Sequence, residues 1–397
     1  MAKMKYIMMI LCCSAAAVAA IAQPTVYPAS AQHERIALLH ATIHIGNGQV
    51  IEDGTLVFNN GRIEQVGHTV DLKDAKQIDC SGKQVYPGLI LSNSDLGLVE
   101  VPSVRATRDV DELGELNPNV RSIVAYNTDS RVINTLRIDG ILMANIVPDG
   151  SLITGSSSVV QLDAWNWEDA AYAKDNGIHF KMPSLLPRPS RRAGFSRPQQ
   201  GDPQKAALDK IEEVKTFFRQ AKAYLAVKDH DAVNLKFEAV KGLFDGSKKL
   251  FIHCNIVKEM LIAVDIAKEF GFKVVIVGGS DSWQIADILR DNNIAVILNQ
   301  MHDLPNMVDD DIDQPFKTPY LLHKAGVLFA INDEDGSARS RNLAFNAGTA
   351  AAYGLGSEAA LQAITLDAAR ILGIDDRTGS LEQGKDANIV VSDGDIL

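Results

Sequence analysis

Residues suited to metal binding or acid–base chemistry follow apolar segments in the second half of the chain. His253 comes directly after Leu250–Ile252, and Asp333 comes two residues after Ile331. Imidazole and carboxylate groups bind divalent metals, and a carboxylate beside a metal can also take a proton from an attacking water. His253 and Asp333 are therefore the first candidates for a reactive site, provided that the fold brings them together.

The segments that carry these residues alternate with helical stretches, at the spacing of strand–helix units. Four apolar runs predict strands: Leu250–Ile252, Val274–Val277, Ile294–Leu298 and Val327–Ile331. Between the first two, one buried helix face is predicted by residues at helical spacing: Val257, Met260, Leu261 and Val264. Strands joined by helices lie parallel, and in an α/β-barrel their carboxyl ends face one mouth. The pattern predicts that His253 and Asp333 point into that mouth.

The two ends of the chain have a different pattern. From Ile36 to Val85, short apolar alternations are broken by turns such as Asn59-Asn60-Gly61, which indicates a small β-domain. One more strand is predicted between Gly384 and Val391. We therefore expect a β-domain of residues 33–86 plus 379–397, with an α/β-barrel of residues 87–378 between its two parts.

The middle of the chain is harder to interpret. Gly140–Val147 predicts a strand, and Gln204–Val227 predicts a long polar helix. Ser151–Trp167 fits neither period well and is interpreted as an inserted hairpin. Pro187–Pro203 is rich in Pro, Arg, Ser and Gln, which is typical of an exposed loop. The alternative is a lid whose arginines meet an anionic substrate.

The first residues have the layout of a secretory signal peptide. Lys3 and Lys5 precede an apolar run from Tyr6 to Ala22, and cleavage sites end at Ala22 and at Ala31. We expect residues 1–22 to be removed, with cleavage as late as residue 31 as the alternative. The mature protein is then periplasmic or secreted, without stable membrane insertion.

The overall charge favours a small-molecule partner. The 397 residues carry a formal net charge of -11, with acids and bases interspersed. A nucleic-acid surface needs clustered Lys and Arg, so no nucleic-acid partner is expected. The sequence leaves a homo-oligomer open.

Four segments resemble one known family. Gly82–Ile90 and Gly379–Val390 look like the entry and return strands of the amidohydrolase superfamily, and Asn346–Leu355 and Ala363–Gly373 resemble helices of its imidazolonepropionase-like members. The resemblance implies an α/β fold: a (β/α)8 TIM-type barrel with a small β-sandwich domain built from both chain ends. Because such proteins usually continue with further strands beyond the position of Leu397, we expect the sandwich to be incomplete.

The resemblance also implies a metal site, from which this sequence departs. Family members place a His-x-His after the first strand, often a carboxylated lysine after the fourth, histidines after the fifth and sixth, and an aspartate after the eighth. Here Asn93 and Asp95 replace the His-x-His, and Gly278 stands at the sixth-strand position. No fourth-strand lysine is recognisable from the sequence. Only His253 and Asp333 match.

The remaining ligands would be Asp95, His253, Asp333 and Asn93, an oxygen-rich set. Zinc prefers imidazole and thiolate, whereas carboxylate and amide oxygens suit Mn, Mg or Ca. We therefore expect a divalent metal (Zn, Mn or Mg) to bind weakly or not at all. By its family role, Asp333 is the catalytic residue that takes the proton from the attacking water. No other cofactor is indicated.

Two functions remain open. One is a metal-dependent hydrolase with a reduced metal site, acting on carbon–nitrogen bonds other than peptide bonds, or on cyclic amides. The other is a catalytically inactive family member that serves as a periplasmic binding or scaffold protein. The fold alone does not decide between them, because function belongs to the site.

Overall fold

The computed structural model describes residues 28–150, 152–186, 202–227, 229–299, 301–307, 309–334 and 340–397. Within these ranges the chain forms fourteen strands in two sheets and twelve α-helices. The expected signal peptide, and most of the arginine-rich segment Pro187–Pro203, lie outside the described residues. Among the described residues no helix has the length and apolar character that crossing a membrane requires.

The smaller sheet unites the two ends of the chain. Its six strands follow the order β14-β5-β1-β2-β3, with β4 paired to β1. The strands are β1 (Ile36–His44), β2 (Val50–Asn59), β3 (Arg62–Gly67), β4 (Lys76–Asp79), β5 (Gln84–Pro87) and β14 (Ile389–Ser392). β14 runs antiparallel to β5, with Ile389 opposite Pro87. The expectation that both chain ends build one β-domain is thus confirmed.

The turn between β2 and β3 follows directly from its sequence. Asn60 and Gly61 both have positive φ, at 47° and 72°. Two such residues close a tight hairpin whose twist matches the flanking strands, and Asn-Gly is the pair that tolerates this conformation best. Alternate strand residues then face a shared apolar core, which includes Ile43, Leu56 and Ile63.

The larger sheet is an eight-stranded, nearly closed barrel. Its strands lie in chain order from β6 to β13. They are β6 (Leu89–Ser94), β7 (Ile141–Ile146), β8 (Ile153–Gln161), β9 (Ala171–Lys181), β10 (Lys249–Cys254), β11 (Val274–Gly278), β12 (Ala295–Leu298) and β13 (Phe329–Ile331). β9 to β13 are parallel, as the alternation of strands and helices predicted. The α/β-barrel with a separate β-sheet domain is therefore confirmed.

One barrel strand contradicts the sequence interpretation. Ser151–Trp167 is not an inserted hairpin, because β8 (Ile153–Gln161) forms part of the barrel wall. It pairs antiparallel with both β7 and β9. Eight of its nine residues are buried, including Ser156, Ser157 and Ser158. Buried serines remove the apolar signal by which a barrel strand is usually recognised.

Helices pack against the strands of the barrel. They are α1 (Ser122–Ala125), α2 (Arg131–Ile138), α3 (Trp167–Ala170), α4 (Pro203–Leu225), α5 (Leu235–Ala239), α6 (Lys241–Asp245), α7 (Val257–Phe270), α8 (Ala286–Asp291), α9 (Gln314–Ala325), α10 (Leu343–Ala350), α11 (Ser357–Ala363) and α12 (Leu366–Leu372). α4 corresponds to the predicted helix Gln204–Val227. In α7 the buried face differs slightly from the prediction, because Met260 and Val264 are buried whereas Leu261 is 38% exposed.

A side chain joins the first and last barrel strands. Asn332, which follows β13, is fully buried. Its Oδ1 accepts hydrogen bonds from the backbone N–H groups of Ser92 and Asn93 at 2.9 and 3.2 Å, and its Nδ2 donates to the Asn93 carbonyl at 2.8 Å. One amide side chain thus satisfies backbone groups of β6 that a neighbouring strand would otherwise pair.

Candidate site at the barrel mouth

The four residues singled out from the sequence line one cavity. This cavity has a volume of about 370 Å³, and its wall includes Asn93, Asp95, His253 and Asp333. Asn93 lies on β6, His253 lies on β10, and Asp333 follows β13. Parallel strands bring these carboxyl ends to the same mouth, which explains why residues 240 positions apart meet there.

Sequence reasoning missed the lysine of this site. Lys181 is the last residue of β9, the fourth strand of the barrel, and it lines the same cavity. A lysine therefore does stand at the fourth-strand position, contrary to the sequence interpretation. Its Nζ donates a hydrogen bond to the Asp149 carboxylate. Burial raises the pKa of Asp149, but this hydrogen bond and the lysine charge hold the pKa below its usual range.

His253 is hydrogen-bonded to a second histidine inside the barrel. His253 Nε2 and His179 Nδ1 are 2.9 Å apart, and the His179 ring stacks on Phe251. Burial lowers the pKa of His253 to about 3 and also lowers that of His179 well below its ordinary value. Both rings are therefore neutral at neutral pH.

The proton in the hydrogen bond between the two rings can be assigned to one of the two nitrogen atoms. Among the described residues, His179 Nε2 is buried without a hydrogen-bond partner. An orphaned N–H group is less tolerated in protein interiors than an under-satisfied acceptor. The proton of His179 is therefore assigned to Nδ1, so that Nδ1–H donates and His253 Nε2 accepts.

Two carboxyl groups of the mouth are harder to ionise than usual. Burial raises the pKa of Glu334 and that of Asp95, although the charge of Lys181 opposes both shifts. Glu334 was not among the residues predicted from the sequence. Its Oε1 lies 3.5 Å from Asn93 Nδ2. Asp333 is buried, and its Oδ2 accepts a hydrogen bond from the Asn342 backbone N–H at 3.1 Å.

These residues do not fit a conventional metal centre. Within the described ranges no three His, Cys, Asp or Glu side chains come together in a way that could hold a metal ion. The lone pair of His253 Nε2 is used by His179, and Lys181 Nζ is used by Asp149. A zinc site normally has three protein ligands dominated by imidazole or thiolate. The metal-ligand set Asp95, His253, Asp333 and Asn93 therefore remains a prediction from the sequence.

The sixth-strand position has lost more than a histidine side chain. Gly278 has a φ of 101°, a conformation that favours glycine. A Cβ atom there would collide with Asn255 Oδ1 and would lie 3.0 Å from the Cys254 carbonyl oxygen. Neighbouring atoms thus occupy the space that a histidine side chain at this position would need.

A second cavity opens from the same residues. It has a volume of about 330 Å³ and shares Lys181, His253 and Glu334 with the first cavity. Its other lining residues come from the ends of β11 and β12 and from the start of α9, among them Asp281, Asn306 and Gln314. The three shared residues therefore form a wall between two spaces of small-molecule size.

The fold and the sequence are similar to those of one class of protein. Residues 285–397 match the family model described as "Amidohydrolase family". The barrel and the sheet built from both chain ends agree with that match, and so do the relatives given below. The carboxyl-terminal part of the chain, residues 285–397, is therefore similar to the amidohydrolase family.

The individual proteins that the chain resembles share less than a quarter of its residues. The curated Amidohydrolase tasK of Hapsidospora irregularis is 21% identical over 383 residues, which are 87% of this chain and 38% of that protein. The chain thus spans well under half the length of this relative. An amidohydrolase from Thermotoga maritima MSB8 is 24% identical with a TM-score of 0.78, covering 91% of this chain and 94% of its own. A Xanthomonas campestris adenosine deaminase with bound Zn is 16% identical with a TM-score of 0.50, covering 92% and 86%. Both structures are evidence for the fold alone.

Proposed function

We propose that this chain is a hydrolase that cleaves a carbon–nitrogen bond of a small molecule at the barrel mouth. The bond is an amide other than an ordinary peptide bond, or belongs to a cyclic amide. One observation carries the proposal: Lys181, His253 and Glu334 come from three different strand ends and meet in the wall shared by two cavities. A carboxyl group that can act as a base and a cation that can stabilise an oxyanion, in one concave site, are groups that amide hydrolysis can use.

The roles follow from the charge of each group. Burial raises the pKa of Glu334, and a carboxylate with a raised pKa is a better base, so Glu334 takes the proton from the attacking water. The Lys181 ammonium stabilises the negative charge that develops on the carbonyl oxygen. Water adds to the carbonyl carbon, the C–N bond then breaks, and the leaving nitrogen takes the proton from Glu334. Asp333, the base expected from the resemblance, lines one of the two cavities. Its substitution is therefore compared with that of Glu334.

The test is turnover of a panel of N-acyl amino acids and cyclic amides. We expect Glu334→Gln and Lys181→Met each to lower kcat by at least about a hundredfold. Lys258→Met, which changes an exposed lysine of α7, should leave kcat unchanged. A larger loss in Asp333→Asn than in Glu334→Gln would assign the base to Asp333 and contradict the proposed role of Glu334.

One observation favours a second function, a binding protein without catalysis. The ligand set of a metal hydrolase does not come together in the described residues, and His253 Nε2 already accepts a hydrogen bond. Elemental analysis of purified protein separates the alternatives. Under the proposal, turnover persists after treatment with a chelator. Stoichiometric metal that disappears in His253→Gln would instead indicate a metal enzyme. Binding of panel compounds without any turnover would indicate the binding protein.

We also propose that the protein is exported. The support is the order of charged, apolar and small residues in the first 31 positions. Amino-terminal sequencing of the protein from the periplasm or medium should find Gln23 or Gln32 first. Retention of Met1 on such material would contradict this proposal.

A further inference from the structure

The second cavity contains an acidic lobe that hydrolysis alone does not explain. Three aspartates line it beyond the shared wall: Asp281, Asp303 and Asp310. Among its lining residues only Lys181 and His253 could carry positive charge. Lys181 is paired with Asp149, and the pKa of His253 is about 3. Among the described residues, the lobe therefore offers negative charge without a nearby cation to neutralise it.

Asp281 is the residue that makes this lobe specific. It is 2% exposed, and its backbone is tied down because Asp281 N–H donates to the Asn255 carbonyl at 3.0 Å. Its Oδ1 accepts a hydrogen bond from Asn306 Nδ2 at 3.2 Å. Its Oδ2 is buried and has no hydrogen-bond partner among the described residues. Among the described residues, the Val257 backbone amide lies near this carboxyl group, but Oδ2 accepts no well-formed hydrogen bond.

Several effects act on the pKa of Asp281 in opposite directions. Burial raises the pKa of the Asp281 carboxyl, and the charge of Asp310 adds to that shift. Asn306 and the nearby Val257 backbone amide, at the start of α7, lower the pKa and so favour the ionised form. The burial cost is the larger of these effects. Leaving a buried charge unpaired is expensive, and a ligand that donates hydrogen bonds from a positive group would offset that cost.

We propose that this lobe binds an ammonium or guanidinium group of the small molecule, with Asp281 as its main contact. The inference deepens the proposed function, on which it rests, by naming the substrate class: a compound with a cationic side chain as well as the C–N bond. A charge-assisted hydrogen bond to Asp281 Oδ2 selects for the cation, and a guanidinium group can engage both carboxylate oxygens. Asp303 and Asp310 add longer-range attraction.

Calorimetry with a matched pair of probes tests this proposal. N-acetyl-L-argininamide carries a guanidinium group, and N-acetyl-L-citrullinamide replaces it with a neutral urea of nearly the same shape. We expect the wild-type protein to bind the arginine probe about ten- to a hundredfold more tightly. Asp281→Asn keeps the shape of the side chain but removes its charge, and it should abolish this preference. Asp265→Asn, which changes an exposed aspartate of α7, is the control and should preserve it.

Three outcomes would overturn the proposal: equal affinities of the wild type for the two probes, no binding of the arginine probe, or a preference that survives in Asp281→Asn. Circular dichroism of each variant verifies that it is folded. Release of arginine amide from the same probe is measured separately. Selective binding without release would leave the cation site standing while contradicting the hydrolase.

Discussion

At the scale of single residues, the location of His253 could be predicted from the sequence, but the chemical state of its ring could not. The sequence predicted correctly that it lies at a strand end beside Asp333 in one cavity. It could not predict that His179, one strand away and fully buried, occupies its Nε2 atom. The ring is therefore a neutral partner in the barrel interior, and the protein binds fewer protons there than the unfolded chain does.

This difference in proton binding predicts an acid sensitivity. The folded pKa of His253 is about 3, against 6.5 for an unperturbed histidine. Between these values the unfolded state binds more protons, so stability is present above about pH 6.5 and is lost as the pH falls toward 3. In His253→Gln the free energy of unfolding should fall less steeply with pH, by up to about 1.4 kcal/mol per pH unit. Urea titrations between pH 7 and 4 measure the slope.

Exposed His68 provides the control for that experiment. His68→Gln should retain the slope of the wild type. An unchanged slope in His253→Gln would mean that His253 is already protonated in the fold, or that His179 takes up the proton in its place.

The other residues of the mouth could be predicted only in part. His253 and Asp333 were predicted because each follows a recognisable apolar strand, and Asn93 and Asp95 because they stand where the resembling family has its His-x-His. Lys181 was missed because β9 begins with the polar sequence Ala171–Asn176, which hides the strand that ends at the lysine. Asp281 had no signal, since its burial depends on the Gly278-Gly279 turn and on Asn306, far along the chain.

At the scale of elements, the end of β11 explains why histidine cannot simply be restored at the sixth-strand position. Replacing Asn93, Asp95 and Gly278 together with histidine would raise zinc affinity only if all three positions still faced a common site. The positive φ of Gly278 and the contact with Asn255 Oδ1 oppose any side chain there. The substitution should therefore destabilise the loop before it can add a ligand.

A single methyl group tests this interpretation. Gly278→Ala should lower the free energy of unfolding by about 1–3 kcal/mol, because it adds both backbone strain and a collision. Gly271→Ala is the matched control: Gly271 has a φ of 74°, but nothing lies within 4 Å of its added Cβ. It should cost about 1 kcal/mol, from strain alone. Equal losses in denaturant unfolding would show that the Asn255 contact has no cost.

β8 is the barrel strand that the sequence pattern did not predict. β10 to β13 were predicted from runs of Val, Ile and Leu, which buried parallel strands require. β8 has the sequence ITGSSSVVQ and is nevertheless almost wholly buried. Its serines are accommodated by neighbours, as when Ser156 Oγ donates to the Val120 carbonyl at 3.2 Å. The periodicity and the hydrophobicity of the sequence do not indicate such hydrogen bonds.

At the scale of the whole molecule, β14 links the β-sheet domain to the barrel. Ile389 packs against the core of the small sheet, whereas its neighbour Val390 packs against the core of the barrel. An added Cβ at Gly140 would lie 3.3 Å from Val390, which indicates how closely the two bodies approach. One short strand therefore belongs to two hydrophobic cores.

This sharing predicts that the two bodies unfold together. Val390→Ala should lower the free energy of unfolding by about 1 kcal/mol and shift one common calorimetric transition. Val391 is 44% exposed, so Val391→Ala should change the transition much less. Two separate transitions, of which only one moves in Val390→Ala, would contradict the coupling.

The antiparallel strand β8 also has a consequence for the order in which the barrel assembles. Residues 141–181 form a meander whose pairs are close in sequence, whereas Asn332 reaches Ser92 across 240 positions. Short loops close at lower entropic cost, so refolding should begin in the meander and join β6 to β13 last. Contacts that form after the transition state affect mainly the unfolding rate. In stopped-flow experiments Asn332→Ala should therefore accelerate unfolding strongly and leave the refolding rate almost unchanged, whereas Val159→Ala in β8 should slow refolding.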